Sequence, residues 1–343
     1  MAKPIINHRG PEFHKFYSEL LEKVKYAFQT KNDVFVLTSS GTGGVECAIS
    51  NILSPGDKVI VPVNGVFSQR LKEKIEVWGG TPIEVSVKWG NAATADQIAA
   101  AAEGQDIKAI AVVYNETSTG VTMRDLKEVG KIARAHDAIY IVDAISILGG
   151  DELPVNDWGI DLCITGSQKC LACPPGLALI SVSERAWQVI EQAKSRAYYF
   201  NLLEMREFQK RRETPFTPAL PLFFALDEAL AMLQEEGLEN RIERHRGCAQ
   251  AFYEGIQELG LEPFADKRWR SNTVISVKNP PHLENAKLRD LMREKYHVVI
   301  AGGMDKLKGT MFRIGNMGIV SQTMVSRTLE ALRGALKELG FKS

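Results

Sequence analysis

Between residues 34 and 182, short apolar runs rich in Val and Ile alternate with stretches of helical periodicity. That alternation constrains the fold class before any motif is considered. The runs are Val34–Leu37, Lys58–Val63, Thr81–Val87, Lys108–Tyr114, Ala138–Val142, Leu162–Thr165 and Leu177–Val182. Most are nearly continuous in apolar character, as strands buried on both faces are. Amphipathic patterns lie between them at Val45–Leu53, Phe67–Trp78, Arg124–His136 and Glu184–Lys194. The order predicts an α/β fold: a mainly parallel, seven-stranded sheet with helices on both sides.

The pattern changes after residue 205. Arg206–Pro221 is charged and then carries Pro215, Pro218 and Pro221, which predicts an extended connector. Two long helices are expected at Leu220–Glu236 and Leu238–Leu259. Beyond them come a strand at Thr273–Val277, a helix near Leu283–Tyr296, short strands near Val298–Ile300 and Met311–Ile314, and a helix over Gln322–Leu339. A chain of 343 residues can bury two cores, so the expectation is a large domain, 1–236, and a smaller C-terminal α/β domain, 237–343.

Charge narrows the function classes. Lys plus Arg and Asp plus Glu both number 42, which argues against nucleic acid or another polyanion as the partner. The five cysteines are irregularly spaced and read as reduced thiols; the six histidines form no ligand cluster, and no metal is expected. Cys170-Leu171-Ala172-Cys173 has redox-like spacing but no second ligand pair. No run has the length of a membrane helix, and the N-terminus lacks a signal-like apolar segment, so a soluble cytoplasmic protein is expected.

Three segments carry chemistry. Ser39-Ser40-Gly41-Thr42-Gly43-Gly44 follows a strand and opens a helix, where glycines and free N–H groups suit a phosphate. It lacks the Gly-Lys-Ser/Thr of a nucleotide loop and the spacing of a dinucleotide fingerprint. Asp143 ends the strand Ile139–Val142, at the sheet edge where α/β proteins bind ligands. Lys169 follows Thr165-Gly166-Ser167-Gln168 at another strand end, where desolvation can turn the amine into a nucleophile. Singly, each has a plainer reading: a turn, a helix cap, a solvated lysine. Together they supply what pyridoxal 5′-phosphate needs: a phosphate cradle, an anion for the ring nitrogen and an amine for the aldehyde.

With these landmarks the chain resembles class V aminotransferases of fold type I, and within them the alanine/serine–glyoxylate (serine–pyruvate) aminotransferase group. The motifs run in order: Ser40-Gly41-Thr42, Pro55-Gly56-Asp57, Asn64-Gly65-Val66-Phe67, Glu116-Thr117-Ser118-Thr119-Gly120, Val142-Asp143, Gly166-Ser167-Gln168-Lys169 with Pro174-Pro175-Gly176, and Arg313-Ile314-Gly315. The resemblance implies that Lys169 is the Schiff-base lysine and Asp143 the partner of the pyridine nitrogen. It assigns Ser40, Gly41 and Thr42 to the phosphate and Gln168 to a cofactor contact beside the lysine. Phe67 is implied to stack on the ring, Ile145 to pack on its other face, and Thr117 to reach the cofactor by its hydroxyl. Arg313 is implied to receive the substrate carboxylate. The resemblance also implies a homodimer with shared sites, in which Thr217 reaches the partner subunit's phosphate, and ping-pong transfer from alanine or serine to glyoxylate or pyruvate. No second arginine is apparent for a side-chain carboxylate, which favours small substrates.

Three departures stand out. Family members usually carry a Gly-Pro segment before the first helix, whereas this chain begins at Met1-Ala2-Lys3-Pro4, after that segment. Thr214 stands where some relatives have Tyr, and Phe67 where Trp is frequent. His8-Arg9 is read as surface or near the site, and Glu239, Arg241, Glu243 and Arg244 as a solvated helix face. The rival readings are a lyase such as a cysteine desulfurase, a non-catalytic accessory subunit keeping the fold, and nucleotide binding through the glycine loop. A desulfurase-like relative usually has His before the lysine, where this chain has Gln168.

Overall fold

The computed structural model describes residues 3–193, 195 and 197–341. The chain opens with α1 (Pro11–Phe28), β1 (Asp33–Thr38), α2 (Gly41–Ile52), β2 (Lys58–Val63), α3 (Val66–Val77), β3 (Thr81–Ser86) and α4 (Ala95–Ala102). β4 (Ala109–Val113) precedes a small hairpin, β5 (Asn115–Glu116) and β6 (Val121–Thr122). Next come α5 (Leu126–Ala135), β7 (Ile139–Asp143), β8 (Leu162–Gly166), β9 (Leu177–Val182) and α6 (Glu184–Gln192). α7 (Leu202–Lys210) leads through a proline-bearing segment to α8 (Leu220–Glu236) and α9 (Leu238–Glu258). The chain ends with β10 (Val274–Lys278), α10 (Asn285–Glu294), β11 (Ala301–Gly302), β12 (Met311–Gly315) and α11 (Gln322–Glu338).

The predicted large sheet is present, with seven strands in the order β1-β9-β8-β7-β4-β2-β3. β9 is antiparallel to both β8 and β1, while the remaining neighbours pair in parallel. Six strands therefore share one direction and β9 opposes them. Val34 and Val36 of β1 bury into one core with Phe13 and Tyr17 of α1; Phe35 and Leu37 bury into the other with Ile49 of α2 and Trp187 of α6. This two-sided burial explains the unbroken apolar runs: alternate side chains face opposite cores. A third core joins the antiparallel sheet β10-β12-β11 to α9, α10 and α11.

Four details differ from the sequence reading. The first part of the predicted connector is helical: Asn201 caps α7 by accepting from Glu204 N–H, and Leu202 and Met205 bury against the sheet. The segment expected as a strand near Val298–Ile300 is not one, because Val298 N–H closes the end of α10 on Met292 C=O at 2.9 Å. The strand falls at Ala301–Gly302, pairing with Arg313 and Phe312. The two-residue strands β5 and β6 are too short to leave a periodic trace. Finally, Arg241 is not on a solvated face: it is 2% exposed and pairs with Glu236 at 2.7 Å. Arg244 joins the same carboxylate at 2.6 Å. Gly237, at φ 81°, turns the chain between α8 and α9 and returns Glu236 onto the start of α9. The end of the predicted Glu184–Lys194 helix, at Lys194, lies outside the described residues, as do Met1 and Ala2.

Candidate active site

Five segments converge at the carboxyl edge of the large sheet. Ser40 follows β1, Phe67 follows β2, Thr117 follows β4 through the hairpin, Asp143 ends β7, and Lys169 follows β8. This is the edge where open α/β sheets place ligands. Of the residues singled out in the sequence, Ser40, Gly41, Thr42, Phe67, Thr117, Asp143, Ile145, Gln168 and Lys169 all line one cavity of about 150 Å³.

The start of α2 forms one end of it. Ser40 is the N-cap, and its carbonyl accepts from Gly43 and Gly44 N–H at 3.0 and 3.2 Å. Among the described residues, the N–H groups of Gly41 and Thr42 have no partner within the chain, the usual state of a first helical turn. A Cβ on Gly41 would lie 2.6 Å from Ile145 Cδ1, so only glycine leaves the backbone this close to the opposite wall. The donors, the helix dipole and the missing side chain fit a phosphate.

Asp143 lines the same cavity, is 9% exposed, and accepts from Ile145 N–H at 3.0 Å. Burial pushes its carboxyl up to about 6, opposed by that hydrogen bond and by Lys74. A carboxyl with, among the described residues, one neutral partner and no ion pair is suited to a protonated ring nitrogen. Lys169 sits in a tight turn: Ala172 N–H bonds its carbonyl at 2.9 Å, and Ser167 Oγ bonds Pro174 C=O at 2.7 Å. Burial lowers the pKa of its amine, and Arg313 pushes the same way. A poorly solvated amine loses its proton more readily and so becomes nucleophilic. These residues therefore fit pyridoxal 5′-phosphate.

Thr117 Oγ1 bonds Ser146 Oγ at 2.8 Å, and Ser146 is held by Asn115 Nδ2 at 2.8 Å. Arg313, on β12, reaches the cavity edge. Its Nη1 donates to Thr117 C=O at 2.9 Å, and its Nε and Nη2 donate to Gly302 C=O at 3.1 and 2.9 Å. Thr217 does not join the cavity of its own chain. It is exposed and lines a separate hollow with Thr38, Tyr199 and Phe216. Arg9 ties the start of α1 to that connector, donating to Glu213 at 2.8 Å and to the Thr214 carbonyl at 2.7 Å.

Sequence reasoning missed Arg70 and Lys74, which also line the cavity. Arg70 lies over the Phe67 ring at 5.3 Å, and among the described residues Lys74 donates only to Arg70 C=O at 3.3 Å. The signal was present: positions 67, 70 and 74 follow the helical spacing of one face. Arg70 is a second arginine at the site, so the sequence argument for small substrates loses one of its supports.

The class-V aminotransferase family model matches residues 4–323. The chain is 44% identical over 345 residues to an uncharacterised aminotransferase of Methanocaldococcus jannaschii, covering 100% of this chain and 89% of that one. It is 38% identical over 345 residues to the small subunit of a soluble hydrogenase of a Synechococcus species, covering 99% and 89%. To an alanine–glyoxylate aminotransferase of Drosophila melanogaster it is 33% identical over 354 residues, covering 100% and 90%. The solved structure of ureidoglycine–glyoxylate aminotransferase from Bacillus subtilis matches with a TM-score of 0.93 at 31% identity, over 99% of this chain and 89% of that one. With the family matched over residues 4–323 and relatives of this identity along the whole chain, the protein belongs to the class-V aminotransferases, enzymes whose cofactor is pyridoxal 5′-phosphate.

Proposed function

We propose that this aminotransferase moves an amino group from a small amino acid, alanine or serine, to a 2-oxo acid, glyoxylate or pyruvate, in two half-reactions of ping-pong order. One observation carries the reading: Lys169, Asp143 and the start of α2 surround a single cavity, with Arg313 bonded to its rim at Thr117. The Drosophila and Bacillus relatives are both glyoxylate aminotransferases, which supports the acceptor.

In this reading Ser40, Gly41 and Thr42 hold the cofactor phosphate, with Gln168 beside the lysine. Phe67 and Ile145 cover the two ring faces, Thr117 offers its hydroxyl, and Asp143 keeps a proton on the ring nitrogen. When bound, the cofactor supplies an aldehyde for amine exchange and an electron-withdrawing ring. Lys169 would hold the cofactor through its side-chain amine, and the same amine, once free, would take the proton from the donor's α-carbon. Arg313 turns its planar fork to the substrate carboxylate and fixes the orientation of the α-carbon.

The same proposal places the domain boundary at Gly237, dividing 1–236 from 237–343, and takes the working unit as a cytoplasmic homodimer. Thr217 then serves the partner subunit's site; its exposure outside its own cavity supports this. Tyr198, 80% exposed beside Phe216, supports a covered surface there. Among the described residues no helix is long and apolar enough to cross a membrane. The identity to a hydrogenase small subunit favours a second reading, a non-catalytic subunit that keeps the fold. A matrix of amino donors, aspartate included, against glyoxylate and pyruvate on the cofactor-loaded protein separates the two. Turnover with alanine or serine supports the proposal; cofactor binding without turnover for any pair supports the accessory subunit.

A further inference from the structure

Glu116 is fully buried on β5, one residue before Thr117. Its carboxylate accepts five hydrogen bonds. Oε1 takes Phe67 N–H at 3.2 Å, Ser118 N–H at 3.1 Å and Ser118 Oγ–H at 2.6 Å. Oε2 takes Ser68 N–H at 2.8 Å and Ser68 Oγ–H at 2.9 Å. Ser118 Oγ in turn accepts from Val66 N–H at 2.9 Å. The first turn of α3 therefore rests on a side chain from another strand, because its N-cap, Gly65, has none to offer. A Cβ on Gly65 would stand 2.3 Å from the Glu116 carboxylate carbon, which shows how closely the two segments meet.

We infer that Glu116 is a positioning residue that locks the first turn of α3 to the Thr117 segment, so that the Phe67 ring and the Thr117 hydroxyl meet the cofactor in one fixed frame. The inference rests on the proposed roles of Phe67 and Thr117. No other side chain serves. A glutamine would turn a donor toward at least two of the five donors, and an aspartate is one methylene short. The link extends to the substrate side, because the carbonyl of Thr117 accepts from Arg313. The carboxylate also places a negative charge at the start of α3, where the helix dipole favours it.

The test is a double-mutant cycle on the cofactor-loaded protein with Glu116→Gln and Phe67→Leu, reading cofactor affinity and the visible circular dichroism of the bound cofactor. Glu116→Gln is expected to weaken affinity about tenfold, the scale of one lost hydrogen bond to a charged group, and Phe67→Leu by up to about tenfold through the lost ring stacking. Each should also reduce the dichroic band. The double variant should resemble the weaker single one, because both act through the same ring. Effects that multiply, or a Glu116→Gln affinity within threefold of the parent, overturn the inference alone. A Phe67→Leu protein with parental affinity and dichroism removes the stacking role from the proposed function and takes the inference with it. If Glu116→Gln does not fold, Ser118→Ala, which removes one donor to Oε1, takes its place in the cycle under the same criteria.

Discussion

At the junction of α8 and α9, Glu236 accepts from Arg241 at 2.7 Å and Arg244 at 2.6 Å, and Arg244 also donates to the carbonyls of Gly318 and Val320 at 3.1 and 2.7 Å. Asp143, Lys169, Arg70 and Lys74 line the candidate cofactor cavity, yet among the described residues none of them forms an ion pair. Asp143 is buried and Glu236 half-buried, and among the described residues only Glu236 has ion-pair partners. Burying an unpaired charge is costly. The fold tolerates that cost where a charged ligand completes the set and removes it where the charges serve only to hold elements together. The carboxyls register the contrast: the Arg244 hydrogen bond, with Arg241, holds Glu236 down at about 2, while burial holds Asp143 up at about 6.

Deleting one charge from each region should have opposite consequences. Lys169→Ala is expected to lower turnover by about four orders of magnitude. It should also abolish the borohydride-reducible adduct while leaving the urea midpoint equal or higher. A covalent adduct at another lysine would break the assignment. Glu236→Ala should do the reverse. It strands Arg241, 2% exposed, and should cost about 3–5 kcal/mol in urea unfolding, with turnover per folded molecule little changed. A loss below about 1 kcal/mol would mean that the junction is no better satisfied than the cavity.

Among the described residues Arg313 is bonded only to carbonyls, those of Gly302 and Thr117. Arg313→Lys keeps the charge and loses the fork, so KM for both donor and acceptor should rise at least about tenfold. Cofactor affinity should hold. Unchanged kinetics with alanine, serine, pyruvate and glyoxylate would remove Arg313 from the substrate site. The smallest effect concerns pH. Burial holds the Asp143 carboxyl up at about 6, against an ordinary aspartate value of about 3.9, so between those values the folded protein holds a proton that the unfolded chain releases. Its contribution is full below the lower value and lost as pH rises through the upper. The stability of cofactor-free protein relative to Asp143→Asn should therefore fall by about 1–3 kcal/mol from pH 4 to 6.5. Cofactor loading should flatten the difference. Glu236 has the opposite sign: its contribution is present above the ordinary carboxylate range and lost as pH falls toward about 2.

The sequence made the large sheet legible because both of its faces are buried, so β1, β2, β4, β7, β8 and β9 read as nearly unbroken apolar runs. Asp143 and Lys169 could be found because each directly ends or follows such a run. What escaped was long-range. Arg241 carries no local sign that Gly237 will swing Glu236 onto it. Arg70 and Lys74 look like any charged helix residues until the fold turns their face to the cavity. Val298 and Ile300 are good strand formers, and one backbone bond to α10 outweighs that preference.

The pairing of β1 with β9 has a consequence for how the molecule is made. Thr38 pairs with Leu177 and Asp33 with Val182, so β1 has no sheet neighbour until nearly all of the large sheet has been synthesised. At roughly 5–20 residues per second, the emerging chain carries that apolar strand unpaired for on the order of ten seconds. The glycine turn after β1 takes its place only when β9 arrives, so the proposed phosphate cradle is among the last parts of the sheet to form. Cofactor loading then follows elongation through β9, and a chain stalled before Leu177 exposes a sticky β1 edge to chaperones or to other nascent chains.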